Sequence, residues 1–243
     1  MKPKKTKTRN AGFTLVELLI VISIVAVLCA FALIGYKKAQ SAADKAVTMG
    51  TLHQLQLASA SYAADHNGKF VAASGKDEGG KLTQQWHRNR DFLDNLTGDI
   101  NSSDQSVAAD SFPKDRLDRR AKRLRSVNWD KIQGNFGAFE KDPSNSTWGS
   151  NVAWESSFSL AQLTNPGRTA SFATALDWRV KYGGRKNYTG AETSNGQGKI
   201  AYRHDGKALV AFYDGHVEAI SKQDMDLIDK NGGDKHPFWR GDQ

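Results

Sequence analysis

Between Gly12 and Tyr36 the chain reads GFTLVELLIVISIVAVLCAFALIGY, an apolar run that one carboxylate, Glu17, interrupts and no other charge does. From Phe13 to Tyr36 this is 24 residues, enough at about 1.5 Å per residue to cross a hydrocarbon core about 30 Å thick. The run predicts a membrane-spanning helix over 13–36. Beyond it Ala39, Ala42, Ala43, Ala46, Val47, Leu52, Leu55, Leu57, Ala58 and Tyr62 recur at helical spacing among polar residues. That pattern predicts an amphipathic second half of the same helix over 37–65. Gly35 and Gly50 are weak points in it, each costing about 1 kcal/mol relative to alanine, and Gly35 is the expected place for a bend or local melting. Asp65-His66-Asn67-Gly68 supplies the stop, since Asn-Gly suits positive φ.

The pattern then loses its period. Over 66–168 short apolar patches (Phe92, Leu93, Leu96; Trp129, Ile132; Phe136, Phe139; Trp148, Trp154, Phe158, Leu160, Leu163) are separated by Gly, Ser, Asn and Pro, which predicts short helices and loops. From 169 to 243 the chain turns β-like. Thr169 to Leu176, Lys199 to Tyr202, Lys207 to Tyr213 and His216 to Ile220 are short β-branched, aromatic or alternating runs divided by Gly-Gly, Asn-Gly and Asp-Gly. The clearest unit is Ala208 to Ile220, where Asp214-Gly215 reads as the turn of a tight hairpin. The expected fold class is α+β: a long N-terminal helix, membrane-spanning in its first half, packed on a small antiparallel β-sheet.

Charge sharpens the reading of the N-terminus. Lys2, Lys4, Lys5, Lys7 and Arg9 put five positive charges and no negative one before the span, which by the positive-inside tendency keeps that end cytoplasmic. A secretory signal has the same polarity, but its apolar part is shorter and ends in a small-residue cleavage site. A generic single-pass anchor fits length and charge equally well; Gly12-Phe13 and Glu17 argue against it. A carboxylate in hydrocarbon costs roughly 2.5 to 3.5 kcal/mol even on lenient insertion scales, so Glu17 needs a partner. The whole chain carries a net charge of +8. With five of those charges in residues 1–12, the remainder carries about +3, and overall basicity does not point to nucleic acid.

Residues 12 to 17, Gly-Phe-Thr-Leu-Val-Glu, and the apolar run after them resemble the N-terminal signature of type IV pilins and of type II secretion pseudopilins. The resemblance implies that residues 1–12 are a leader, that a prepilin peptidase cuts between Gly12 and Phe13, and that the same enzyme N-methylates Phe13. It also places Glu17 at the fifth position of the mature chain, where the family carries its glutamate. A physical role for Glu17 follows: the new amine of Phe13 on one subunit can lie beside the carboxylate of a neighbour, which pairs a buried charge and fixes register. A second resemblance lies near the other end. RHDGKALVAFYDGHVEAI, with His204, nine residues, Asp214-Gly215 and then His216 and Val217, is similar to a His-x9-Asp-Gly module at the carboxy end of many prepilin-type proteins.

Three further features bear on chemistry. The segment PKDRLDRRAKRLR, from Pro113 to Arg125, holds seven basic and two acidic residues. It reads either as a grip for phosphate backbones or anionic lipid headgroups, or as a solvated helix face with Asp115 and Asp118 paired along it. Cys29 is the single cysteine, so the exported part has no intramolecular disulfide and its late loops need another stabiliser. His204, Asp205, Asp214 and His216 could form a metal site or an acid-base pair, although Asp-Gly has a full explanation as turn chemistry. No cofactor is expected, with calcium on acidic loops such as Asp224, Asp226 and Asp234 as the variant reading.

Taken with the resemblance, these features imply a non-enzymatic subunit of the inner membrane, N-terminus cytoplasmic and C-terminal domain periplasmic, that polymerises into a type II secretion pseudopilus. The implied partners are the prepilin peptidase, other pilin-like subunits of the same or minor kinds, an inner-membrane assembly platform and the lipid bilayer. A type IV pilus subunit serving adhesion, motility or DNA uptake is the alternative of the same kind. A membrane-anchored periplasmic binding or enzymatic domain that does not polymerise is the alternative of a different kind.

Overall fold

The computed structural model describes residues 13–76, 82–98, 112–140, 158–193, 196 and 198–241. Helix α1 (Leu15–Asp65) is assigned as one helix of 51 residues through Gly35 and Gly50, so the expected melting at Gly35 does not occur. It stops where the sequence says it should. Asn67 and Gly68 take φ of 54° and 76°, and the Gly68 amide returns to the Ala63 carbonyl at 2.8 Å. The chain divides into two compact units, Met1–Ala42 and Ala43–Gln243. In the first, the apolar side chains from Phe13 to Leu33, and Tyr36, are exposed all round the helix, the pattern of a helix that meets lipid rather than a protein core.

The second unit is built on a five-stranded sheet of order β5-β3-β4-β6-β7, made of β3 (Phe136–Phe139), β4 (Ala170–Thr174), β5 (Arg179–Val180), β6 (Lys207–Phe212) and β7 (Val217–Ser221). A separate hairpin joins β1 (Ser74–Lys76) to β2 (Leu82–Gln85). The sheet is mixed rather than wholly antiparallel, because β5 pairs parallel to β3. Gly137 permits that approach: a Cβ there would lie 2.8 Å from the Asp177 carbonyl. Two segments need revision. Phe136 to Phe139 is a strand within a region read as loops and short helices. Lys199 to Tyr202 makes only an isolated bridge between Ile200 and Ala175, since Gly198, at φ +63°, and the turn at His204 to Lys207 leave it too little length. Trp148 and Trp154 lie outside the described residues.

Both faces of the sheet are covered. On one, Phe136, Phe172, Leu209 and Ala211 pack with Leu52, Leu55 and Ala58 of α1, with Trp86, and with Phe92 and Leu93 of α2 (Arg90–Thr97). On the other, Ala173, Ala208, Val210 and Phe212 pack with Met225 of α4 (Lys222–Lys230) and with Phe238 and Trp239. Strand β6 alternates between the two cores and is buried from Ala208 onward, as a central strand must be. Leu52 and Leu55 are each fully buried, a stabilisation of about 1.5–3 kcal/mol apiece.

The face that α1 turns inward keeps Leu52, Leu55 and Ala58 of the apolar stripe but is more polar than the spacing suggests. Ala42, Ala43, Ala46 and Leu57 are exposed, while Asp44, Thr48, Thr51, Gln56 and Ser59 are buried. Polar residues on the adjoining segment explain the difference. Arg123 of α3 (Arg119–Arg123) reaches Asp44 at 2.6 Å, Thr51 donates to the Arg116 carbonyl at 2.7 Å, and Thr48 donates to Asp118 at 3.3 Å.

Candidate functional site

At the N-terminus Gly12 lies outside the described residues, and Phe13 is exposed. Thr14 and Glu17 form a reciprocal cap. The Thr14 amide and hydroxyl each donate to Glu17 Oε2 at 2.8 Å, and the Glu17 amide donates to Thr14 Oγ1 at 3.2 Å. This is the Thr-x-x-Glu capping box, legible in the sequence but not used in its reading. Within a single subunit Glu17 therefore already has donors, before any neighbour is considered.

The second sequence motif folds as two turns at opposite ends of β6. At the first, His204 and Lys207 exchange backbone hydrogen bonds at 3.1 and 3.0 Å, and Asp205 and Gly206 sit at φ 52° and 78°, as a type I′ turn demands. At the second, Tyr213, Asp214 and Gly215 carry the chain into β7, with Gly215 at φ +99° and its amide on the Phe212 carbonyl at 2.9 Å. This turn docks on α1: His53 Nδ1 donates to the Gly215 carbonyl at 2.7 Å, and Gln56 Nε2 to that of Tyr213 at 3.0 Å. His216 stacks on Phe212 with ring centroids 4.3 Å apart and holds Asp214 Oδ1 through its Nδ1 at 2.6 Å.

The six residues of β6, at about 3.3 Å each, separate His204 from the Asp214–His216 pair. These side chains therefore do not converge on one metal or one substrate atom. No group of three or more His, Cys, Asp or Glu suited to a metal occurs among the described residues. Asp224 caps its own helix with Ser221, and Asp226 pairs with Lys186. Arg185 forks onto Asp229 of α4 at 2.9 to 3.1 Å, and Thr164 takes the Gly241 carbonyl at 2.8 Å through its amide. With the Phe238 and Trp239 side chains buried, these contacts fasten the late loops in the absence of a disulfide.

His204 leads instead to a buried charge network. Asp118 Oδ2 lies 3.2 Å from Arg203 Nη1 and 3.1 Å from His204 Nε2, while Asp118 Oδ1 accepts from the Arg120 amide at 2.9 Å. Burial alone pushes the Asp118 carboxyl up, but the His204 hydrogen bond and the Arg203 and His204 charges outweigh it and hold the group at about 2. Arg203 continues to the Ala175 carbonyl and to Glu192, which accepts from the Tyr188 hydroxyl. Asp118 is thus not paired along a solvated helix face. The sequence offered no local signal for this network, because Asp118 and Arg203 are 85 residues apart. Another unforeseen group is His87, buried between Trp86 and Trp178 with neither ring nitrogen hydrogen-bonded. Burial, with a smaller contribution from the Arg88 charge, lowers it to about 3.

Comparison with known proteins bears on the N-terminal site. Residues 7–33 match a family model described as the prokaryotic N-terminal methylation motif. The segment carries a prepilin-type signal. That match takes in Gly12, Phe13, Glu17 and most of the span, and agrees with membrane anchoring by an apolar helix. No curated protein and no solved structure matches the chain.

Proposed function

We propose that this chain is a prepilin-type structural subunit, cut between Gly12 and Phe13 by a prepilin peptidase, methylated at Phe13, and polymerised into a type II secretion pseudopilus. The observation that carries the reading is the methylation motif over residues 7–33 on a helix whose apolar side chains are exposed all round. The basic head stays cytoplasmic and the second unit is periplasmic until an inner-membrane platform draws the subunit into a filament with its own kind and minor subunits. Glu17 then exchanges its Thr14 donors for the Phe13 amine of a neighbour. The chain works mechanically rather than as an enzyme and needs no cofactor; His204, Asp214 and His216 hold turns and buried contacts.

Mass spectrometry of the N-terminus from native membranes tests this, with Gly12→Ala as the control. A terminus at N-methylated Phe13, lost in the variant, is the expected result. An intact Met1, or a cut beyond the apolar run, overturns it in favour of an anchored periplasmic domain. Loss of the gene product should then abolish export of secreted proteins; loss of long surface fibres or DNA uptake with export intact would assign the subunit to a type IV pilus.

A further inference from the structure

We infer that the surface formed by Pro113 to Arg125 binds the anionic headgroups of the bilayer in which the chain is anchored. The inference rests on the membrane-anchored reading above and goes beyond it, since the span alone requires no lipid contact from the folded domain.

The charge here is concentrated, not general. The segment carries a net +5, against about +3 for everything after residue 12, so the rest of that chain is slightly acidic. The structure concentrates it further by removing acids from the surface. Asp118 is wholly buried against Arg203 and His204, which leaves Asp115 as the segment's one exposed acid. Arg123 is engaged by Asp44. Lys114, Arg116, Arg119, Lys122 and Arg125 are exposed, and none of them has a carboxylate partner among the described residues: the Arg116 guanidinium reaches Gln54, at 3.4 Å, and Lys122 lies over the Trp129 ring. Leu124, 40% exposed, stands among them. Cations around an exposed leucine and a half-buried tryptophan suit the headgroup layer, where long basic side chains keep their charge in water and apolar groups enter the acyl boundary.

Connectivity favours lipid over nucleic acid. Asp44, which holds Arg123, lies eight positions beyond Tyr36, the end of the apolar run. Even fully extended, eight residues reach roughly 28 Å, so the segment is tethered near the bilayer surface. Near an anionic leaflet each such cation strengthens attachment by about fivefold, which makes a group of five a substantial contact. The segment lacks the aromatic series on which single-stranded bases stack.

The test uses the full chain in lipid nanodiscs and follows hydrogen exchange in peptides covering 113–125. Discs of phosphatidylcholine alone are compared with discs containing phosphatidylglycerol, for the wild type and for a variant with Lys114→Gln, Arg119→Gln, Lys122→Gln and Arg125→Gln together. Exchange should slow roughly fivefold or more in the phosphatidylglycerol discs, the effect vanishing in the variant and at high salt. Peptides from β6 should exchange alike in both proteins, showing that the fold is intact. Equal exchange of 113–125 in both disc types overturns the inference, as does protection by an added DNA duplex without protection by phosphatidylglycerol, which reassigns the surface to nucleic acid. Failure of the chain to remain in either disc overturns the anchored reading itself, and the lipid contact with it.

Discussion

Asp118 Oδ2 lies 3.2 Å from Arg203 Nη1, and neither side chain is exposed to solvent. The pair joins the N-cap of α3 to the residue before the turn that starts β6, and Thr48 of α1 joins it at the other carboxylate oxygen. A charge buried this deeply is tolerable only while its partner remains. Asp118→Ala should cost about 3 kcal/mol, because it removes one of the two carboxylates that hold the buried Arg203 guanidinium and leaves His204 Nε2 without its partner. Urea unfolding of the detergent-solubilised full chain measures this. Asp118→Asn should cost less than Asp118→Ala, since it keeps an oxygen for the Arg120 amide while losing the charge.

Acid should weaken the domain in two steps. His87 is held neutral in the fold at about 3, against an ordinary value of 6.5. A histidine depressed by folding contributes full stability above its unfolded value and loses it as pH falls, here from about 6.5 toward 3, by roughly 4 to 5 kcal/mol in all. Asp118, depressed to about 2 from 3.8, adds a second loss between about pH 4 and 2. Stability measured against pH should therefore decline well above the carboxylate range. His87→Phe should flatten that first decline and leave the second; an unchanged profile would mean that His87 does not cause it.

Gly215→Ala should destabilise the domain by about 1–2 kcal/mol, the penalty for a side chain in left-handed backbone. Space is not the obstacle, since a Cβ there would sit 3.7 Å from His53 Cε1, an ordinary contact. Gly183→Ala, where nothing lies within 4 Å and φ is not left-handed, should be close to neutral. Thermal unfolding of the two variants side by side separates the backbone cost from any loss of the His53 contact.

What could be read ahead from the chain was local. The long apolar helix, the helix stop at Asn67-Gly68 and the hairpin turn at Asp214-Gly215 each rest on consecutive residues with a strong physical preference, and the fold has all three. The parallel pairing of β5 with β3 was not legible, because it depends on the missing Cβ of Gly137 and on a partner about forty residues away. The inward face of α1 was legible only in part, at Leu52, Leu55 and Ala58, for a related reason. Alanine spacing marked one side, whereas Asp44, Thr48 and Thr51 are buried by polar partners that become neighbours only after folding. The same holds for Asp118. A carboxylate in a run of arginines looks like surface charge until Arg203 arrives from the far end of the sequence.

The hydrogen bonds between Thr14 and Glu17 change how recruitment into any larger assembly must be pictured. On the polymerising reading proposed above, a subunit in the bilayer would not hold a bare acid that any cation could rescue, because the Thr14 amide and hydroxyl already donate to that acid. A neighbour's amine would have to displace two donors to a charged group, worth about 1.5–3 kcal/mol each, so the net gain per joint would be a small difference between two satisfied arrangements. Joints of that kind would let a reservoir of idle subunits persist without clumping, and would let a polymer shrink back into it when whatever drives its growth is withdrawn.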